Sequence, residues 1–322
     1  MAFSILFMGT PDLAAACLRK LVSGSVSNGR SLWKVTGVIS QPDKPKGRNL
    51  HLQPTPVKAA ALELGLECFQ PLKAKDPGSL EWIRSKNPDL IVVAAYGQIL
   101  PQSLLDIPRF GCINVHTSLL PKYRGAAPIQ WAIWDNCCET GVTLMKMNAG
   151  LDTGDILATR CTPITCEDNA ETLHDRLAEL GGELLVETLP DYFAGKITPR
   201  PQPEEGILYA RKITKEDGHL NWNLSARELC CRIRALTPWP GAFCFIPEQE
   251  RKIMLKIWQA EFLEKATSAR PGTILTSETD RLEVACGNGV LRILCLQREG
   301  KKRMDVRSFL AGHTLPAGTI LE

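Results

Sequence analysis

A chain of 322 residues, 44% hydrophobic and 23% charged, has ordinary globular composition, and its length favours two domains over one core. Twelve cysteines without a C-x-x-C pair and five scattered histidines give no disulfide framework and no zinc site, so reduced thiols in a cytoplasmic setting are expected. The net charge of +3 is uneven: from Leu208 onward 18 Lys and Arg face 13 Asp and Glu, a net of +5, leaving −2 for the rest, which suits a polyanionic partner or a merely solvated basic surface.

No signal or transit peptide is expected, because the first basic residue is Arg19 and Pro11-Asp12 interrupts the apolar start. Ser4 to Met8 reads as a buried strand running into a turn at Gly9-Thr10-Pro11-Asp12, followed by a helix over Leu13 to Leu21. The fingerprint Gly-x-Gly-x-x-Gly is absent from that turn, which removes the main support for a nicotinamide or flavin role. Trp33 to Ser40 is a second strand. It ends in Gln41-Pro42-Asp43-Lys44-Pro45-Lys46-Gly47-Arg48, a proline-punctuated loop whose cations suit phosphate contact and equally suit plain solvation. Helices are expected over Thr55 to Leu64, with Pro56 in the first turn, and over Ser79 to Ser85. Leu90 to Ala95 is apolar throughout and rich in β-branched residues, the pattern of a strand buried on both faces of a parallel sheet. It is the longest apolar run, far short of a membrane span, and Tyr96 to Pro101 follows it as a turn.

The functional reading centres on Gly111 to Asp155. Period-two alternation puts Asn114 and His116 on one face of a strand, which Ser118-Leu119-Leu120-Pro121 then ends. The pair therefore sits at a strand's carboxyl end, where open α/β sheets bind ligands. An Asn amide donates hydrogen bonds without changing charge, and an imidazole moves a proton near neutral pH. Together they can hold a developing oxyanion and transfer a proton. A carboxylate completes such a site by fixing the imidazole's tautomer and favouring its charged form. Asp152 and Asp155, in the glycine-flanked turn Leu151-Asp152-Thr153-Gly154-Asp155, are the candidates. A core histidine or a turn aspartate alone would be unremarked.

Ile129 to Trp134 is expected as a helix, and Thr140 to Met147 and Ile156 to Cys161 as strands. Ala170 to Phe193 is the clearest helix, with Leu173, Leu177, Leu180 and Leu184 as its core stripe and Asp168 or Asn169 as its cap. Strands alternating with helices mean a mostly parallel, twisted sheet. Ile197 to Gly206 has linker composition. Beyond it come Lys212, Lys215, Trp222 and a helix of Ala226 to Leu236 carrying Arg227, Arg232 and Arg234. From Lys252 short apolar strands recur, with turns at Pro271-Gly272 and Gly287-Asn288-Gly289, the spacing of a small β-barrel. Lys301-Lys302-Arg303 is a solvated tip or a phosphate contact.

Asn114-Val115-His116, Ser118 to Pro121 and Leu151 to Asp155 together resemble the folate-dependent formyltransferases. Arg124-Gly125-Ala126-Ala127-Pro128-Ile129-Gln130 and the opening Phe7 to Asp12 narrow the resemblance to the branch that acts on methionyl-tRNA, and it covers nearly the whole chain. The resemblance implies a Rossmann-like, mostly parallel α/β formyltransferase domain over 1–196, a linker over 197–207 and a smaller OB-like β-barrel over 208–322 that binds tRNA. It implies formyl transfer from 10-formyltetrahydrofolate to the α-amine of initiator methionyl-tRNA for translation initiation, by Asn114, His116 and Asp152 and without a metal. Folate is expected at Ser118, Leu119, Leu120 and Pro121 and along the backbone of Gln98, Ile99 and Leu100. Transfer RNA is expected at Lys44, Lys46 and Arg48. Two departures stand out: Leu13 replaces a frequent aromatic residue, and Asn49-Leu50-His51 replaces further lysines after Arg48. A cytoplasmic monomer without membrane contact is expected. The alternative is an amino-sugar formyltransferase using the same donor, against which the basic loop and tail speak.

Overall fold

The computed structural model describes residues 2–27, 30–46, 51–248 and 251–322. Its contacts gather Met1–Gly125, Glu139–Pro163 and His174–Ala210 into one compact unit, and Ala126–Cys138, Ile164–Leu173 and Arg211–Glu322 into another. The units are not two uninterrupted stretches of chain. Residues 197–210, most of them linker-like in composition, pack with the first unit.

The first unit is built on a seven-stranded sheet in the order Ile156–Pro163, Glu139–Lys146, Cys112–His116, Leu90–Ala94, Phe3–Gly9, Trp33–Ile39, Cys68–Phe69. The five strands from Cys112–His116 to Cys68–Phe69 pair in parallel, and Glu139–Lys146 and Ile156–Pro163 add to them antiparallel. The chain starts in Phe3–Gly9, builds outward to Cys68–Phe69, and returns to the other side at Leu90–Ala94. Strand order therefore reverses between Gly9 and Ala94, which are paired neighbours. Such a reversal opens a crevice at the strands' carboxyl ends. Gly9 is required there: a Cβ would lie 2.6 Å from Ala14 Cβ and 2.9 Å from the Ala94 carbonyl.

Leu90–Ala94 is buried along its whole length, as its apolar pattern demands. The helix Asp12–Ser23 turns Leu13, Ala14, Cys17, Leu18 and Leu21 inward. On the helix Ala170–Phe193, a Cβ at Gly181 would come 2.9 Å from Val115, so helix backbone presses directly on the strand that carries Asn114 and His116. Asn169 is the residue that caps it, accepting from the amides of Glu171 and Thr172, while Asp168 accepts from Thr165.

The sequence reading of 41–48 as a loop is corrected in part. Lys44–Lys46 pairs antiparallel with His51–Gln53, and the root of this hairpin is pinned through Asp43. The Gln70 amide and then the Lys58 ammonium hold the Asp43 carboxyl below the usual carboxylate range.

The second unit carries an antiparallel sheet in the order Ala242–Glu248, Arg251–Leu263, Val290–Arg298, Arg281–Ala285, Ile274–Glu278. Its two edges are bridged by the end of the chain. Phe245 and Glu322 exchange backbone hydrogen bonds at one edge, and Ile274 bonds Gly318 and Thr319 at the other, which gives the sheet a barrel-like closure. The helix Ala226–Ala235 packs Leu229 and Ile233 into a core with Leu255, Ile257, Leu291, Ile293 and Phe309. Its start is fixed by a capping box between Ser225 and Glu228.

Candidate active site

Asn114 and His116 end the strand Cys112–His116 on one face, as period two requires. Asn114 is level with Val93 on one neighbour and with Met145 on the other, and His116 with Thr143. The antiparallel pairing of Glu139–Lys146 with Ile156–Pro163 then returns the intervening turn towards the same strand end. That turn delivers Asp152. Its Oδ1 accepts from Asn114 Nδ2 at 3.4 Å, its Oδ2 accepts from the Gly125 amide at 2.9 Å, and Oδ2 lies 3.8 Å from His116 Nδ1. The imidazole is 6% exposed and the carboxylate 14%. Between the two candidate acids the geometry chooses Asp152, while Asp155 contributes its carbonyl to the Lys146 amide.

The second imidazole nitrogen decides the tautomer. His116 Nε2 is 3.0 Å from the Tyr123 carbonyl, which can only accept, so Nε2 carries a hydrogen. Nδ1 is left as the nitrogen that gains or loses a proton, and it faces Asp152. A distance of 3.8 Å is too long for a hydrogen bond but close enough for a charge pair. An amide hydrogen, a protonatable ring nitrogen and a carboxylate thus meet at one point. That set can polarise a carbonyl oxygen and take up a proton.

Of five non-glycine residues with positive φ among the described residues, three follow or flank the strand ends that carry the site. Ala95 at φ 43°, Tyr123 at φ 61° and Asp152 at φ 50° are non-glycine residues in the left-handed region. Each such residue costs about 1–3 kcal/mol and persists only where its surroundings impose it. For Asp152 the surroundings are on view. Gln202 Nε2 donates to the carbonyls of Asp152 and Gly154, both at 2.8 Å, and Arg124 Nε and Nη2 donate to Gln202 Oε1 at 3.0 and 2.7 Å.

The expected folate residues divide by role. Ser118 is fully buried, with its hydroxyl donating to the Lys122 carbonyl and its own carbonyl accepting from Thr143. The Leu120 amide donates to the same Thr143 hydroxyl, and the Leu120–Pro121 bond is cis. Leu119 is half-buried. Gln98 spends its side chain on the Ala74 amide and the Leu72 carbonyl, and Leu100 is core. Ile99 is 85% exposed on the loop after Leu90–Ala94, a bare apolar side chain at the sheet's carboxyl edge. Of the expected tRNA residues, Lys44 is exposed and bonds Gln41, Lys46 lies in the hairpin strand, and Arg48 falls outside the described residues.

Sequence reasoning missed Gln202, the roles of Arg124 and the Gly125 amide, and the Tyr123 carbonyl. Tyr123, Arg124 and Gly125 stood in the stretch Gly111 to Asp155 already singled out, whereas Gln202 stood in the segment read as a linker. Among the described residues no three His, Cys, Asp or Glu side chains group as metal ligands, and no helix is long and apolar enough to cross a membrane. All twelve cysteines are free thiols, and burial pushes those of Cys17 and Cys112 up to about 12.

A mostly parallel α/β sheet with this trio at its carboxyl edge defines a group-transfer enzyme of the formyltransferase type. The sequence profile of formyl transferase matches residues 1–189, that of the formyl transferase C-terminal domain matches 212–314, and the chain belongs to this family. It is 47% identical over 317 residues to the methionyl-tRNA formyltransferase of Citrifermentans bemidjiense, covering 98% of this chain and 96% of that one. Among solved structures, WlaRD, a sugar 3N-formyl transferase crystallised with dTDP and 5-N-formyl-THF, superposes with a TM-score of 0.65 at 18% identity over 94% of this chain and 100% of that one. HypX from Aquifex aeolicus superposes with a TM-score of 0.61 at 18% identity over 97% of this chain, which spans about half (49%) of its length. At such identities the two structures speak to the fold alone.

Proposed function

We propose that this chain transfers the formyl group of 10-formyltetrahydrofolate to the α-amine of the methionyl residue on initiator tRNA. The observation that carries the reading is the convergence of Asn114 and His116 on Asp152 at the sheet's carboxyl edge. The donor's formyl group is already activated, so neither a covalent nucleophile nor a metal is needed. The α-amine nitrogen attacks the formyl carbon, a C–N bond forms, and charge collects on the formyl oxygen. Asn114 Nδ2–H and protonated His116 Nδ1–H hold that oxyanion, each well-placed donor being worth about 2.7–4 kcal/mol. The proton lost by the amine passes to Asp152, directly or through water. As the tetrahedral intermediate collapses, the bond from formyl carbon to N10 of the folate breaks and N10 takes up the proton that Asp152 collected, directly or through water. Ser118 to Pro121 and the backbone of Gln98 to Leu100 border the folate, with Ile99 against its ring.

We assign this chemistry to residues 1–196 and tRNA contacts to 208–322, joined by 197–207, with Lys44 and Lys46 of the hairpin and Arg48 also reaching the tRNA. Free thiols and a tRNA substrate suit a cytoplasmic setting, and we take the chain to act as a monomer, which sedimentation analysis tests. The tRNA acceptor is favoured over an amino sugar by full-length relatives 43–47% identical, all named methionyl-tRNA formyltransferase. The test is formyl transfer to charged initiator tRNA, charged elongator tRNA and a nucleotide-linked amino sugar. Only the first is expected to turn over efficiently, and Asn114→Ala or His116→Ala should each cost about a hundredfold or more in kcat. Full activity in both variants would take Asn114 and His116 out of the chemistry, no transfer to any acceptor by the unmodified protein would reduce it to a binding module, and formate release without tRNA would make it a hydrolase.

A further inference from the structure

Gln202 lies in Pro201-Gln202-Pro203, a segment whose composition promises only a tether. Its side chain is nonetheless saturated. The two amide hydrogens go to the carbonyls of Asp152 and Gly154, and the oxygen takes two donors from one guanidinium, that of Arg124. This arrangement admits a single orientation of the amide, because the flipped form sets NH2 against the guanidinium and oxygen against two carbonyls. Arg124 is 7% exposed, so the fork that holds Gln202 is itself fixed in the protein interior.

The contacts close a ring around the acid. Gly125, next to Arg124, donates its amide to the Asp152 carboxylate, while Gln202, held by Arg124, grips the Asp152 carbonyl. The ends of the segment are fastened too. Arg200 and Ile156 exchange backbone hydrogen bonds just past the acid's turn, and Tyr209–Ala210 pairs with Arg124–Gly125. The turn cannot easily compensate by itself, since Asp152 is left-handed and a Cβ at Gly154 would lie 1.8 Å from the Lys146 carbonyl.

We propose that Gln202, oriented by Arg124, is a positioning residue that fixes the peptide of Asp152 and so keeps its carboxylate between Asn114 and His116. The proposal rests on the reading of Asp152 as the proton acceptor. It does not require Gln202 to touch either substrate.

The decisive variants are Gln202→Leu, which removes the polar contacts at similar volume, and Gln202→Glu, which keeps shape and the Arg124 pairing but replaces the donors with an acceptor. Both are expected to lower kcat by about tenfold to a hundredfold, with KM for donor and for methionyl-tRNA within about threefold of wild type. In an Asp152→Asn background Gln202→Leu should add less than about threefold, because the residue to be positioned has lost its role. Gln202→Glu guards against a folding failure, and melting curves of each variant fix the folded fraction. Wild-type kcat in folded Gln202→Glu would overturn the proposal, as would losses that multiply in the double variant. Should Asp152→Asn alone retain wild-type kcat, the proton-acceptor reading falls and the proposal with it. A large Asp152→Asn loss beside an unaffected Gln202→Leu sinks the proposal only.

Discussion

Replacing Asp152 by Asn changes one atom and removes one charge, and the structure says what each change does. Oδ2 accepts from the Gly125 amide at 2.9 Å, and Oδ1 accepts from Asn114 Nδ2 at 3.4 Å. Asparagine has one oxygen to meet two donors. With that oxygen toward Gly125, its NH2 faces the NH2 of Asn114; turned over, its NH2 faces the Gly125 N–H. The shorter backbone contact wins, so Asn114 is the group displaced. Loss of a hydrogen bond to a charged acceptor costs about 1.5–3 kcal/mol. The reaction also loses the group that takes the amine proton, worth roughly 10²–10⁴ in rate. Asp152→Asn should therefore lower kcat by about 10²–10⁴, or roughly 3–5 kcal/mol in the barrier. Single-turnover formyl transfer with donor pre-bound isolates that step, and donor affinity should stay within about threefold. A folded variant with kcat within about tenfold of wild type would refute Asp152 as the proton acceptor.

Gly154→Ala sets a Cβ 1.8 Å from the Lys146 carbonyl oxygen and 2.8 Å from its carbon, so the turn carrying Asp152 must move. A loss of about 1–3 kcal/mol in stability is expected together with a fall in kcat, and a wild-type melting temperature would show that the turn has room. Arg48→Ala should weaken methionyl-tRNA use and flatten its salt slope by about one, with donor KM unchanged. Equal tRNA kinetics at low salt would remove Arg48 from the tRNA site.

What could be read from the sequence was what periodicity controls. The common face of Asn114 and His116 follows from period two, and the burial of Leu90–Ala94 from its unbroken apolar run. The choice of Asp152 over Asp155 came from the family resemblance and not from the residue pattern, because it depends on a left-handed backbone at an aspartate and on the register of two strands on either side. The hairpin Lys44–Lys46 was hidden because lysine and proline carry almost no strand signal. Gln202 was hidden for a related reason. Proline-rich composition describes an extended backbone but not whether its side chains dock.

Charge counts had a similar blind spot. The +5 of the C-terminal part reads as an invitation to a polyanion, yet several of its arginines are committed within the fold. Arg211 pairs bidentately with Asp217 and pulls that carboxyl down to about 2. Arg292 holds the buried Glu283 carboxyl below its usual range and reaches Glu261 as well. Arg234 donates to the carbonyls of Thr165 and Asp168, which no phosphate can replace without leaving two acceptors bare. Pairs of the exposed kind, such as Arg227 with Glu264 or Arg281 with Glu278, contribute about 0–1 kcal/mol and can trade a carboxylate for a phosphate at little cost. Exposed Lys212, Lys215, Lys301 and Lys302 need no such exchange. A polyanion would therefore meet lysines and loosely paired arginines first, and the count of 18 cations overstates what the surface can offer it.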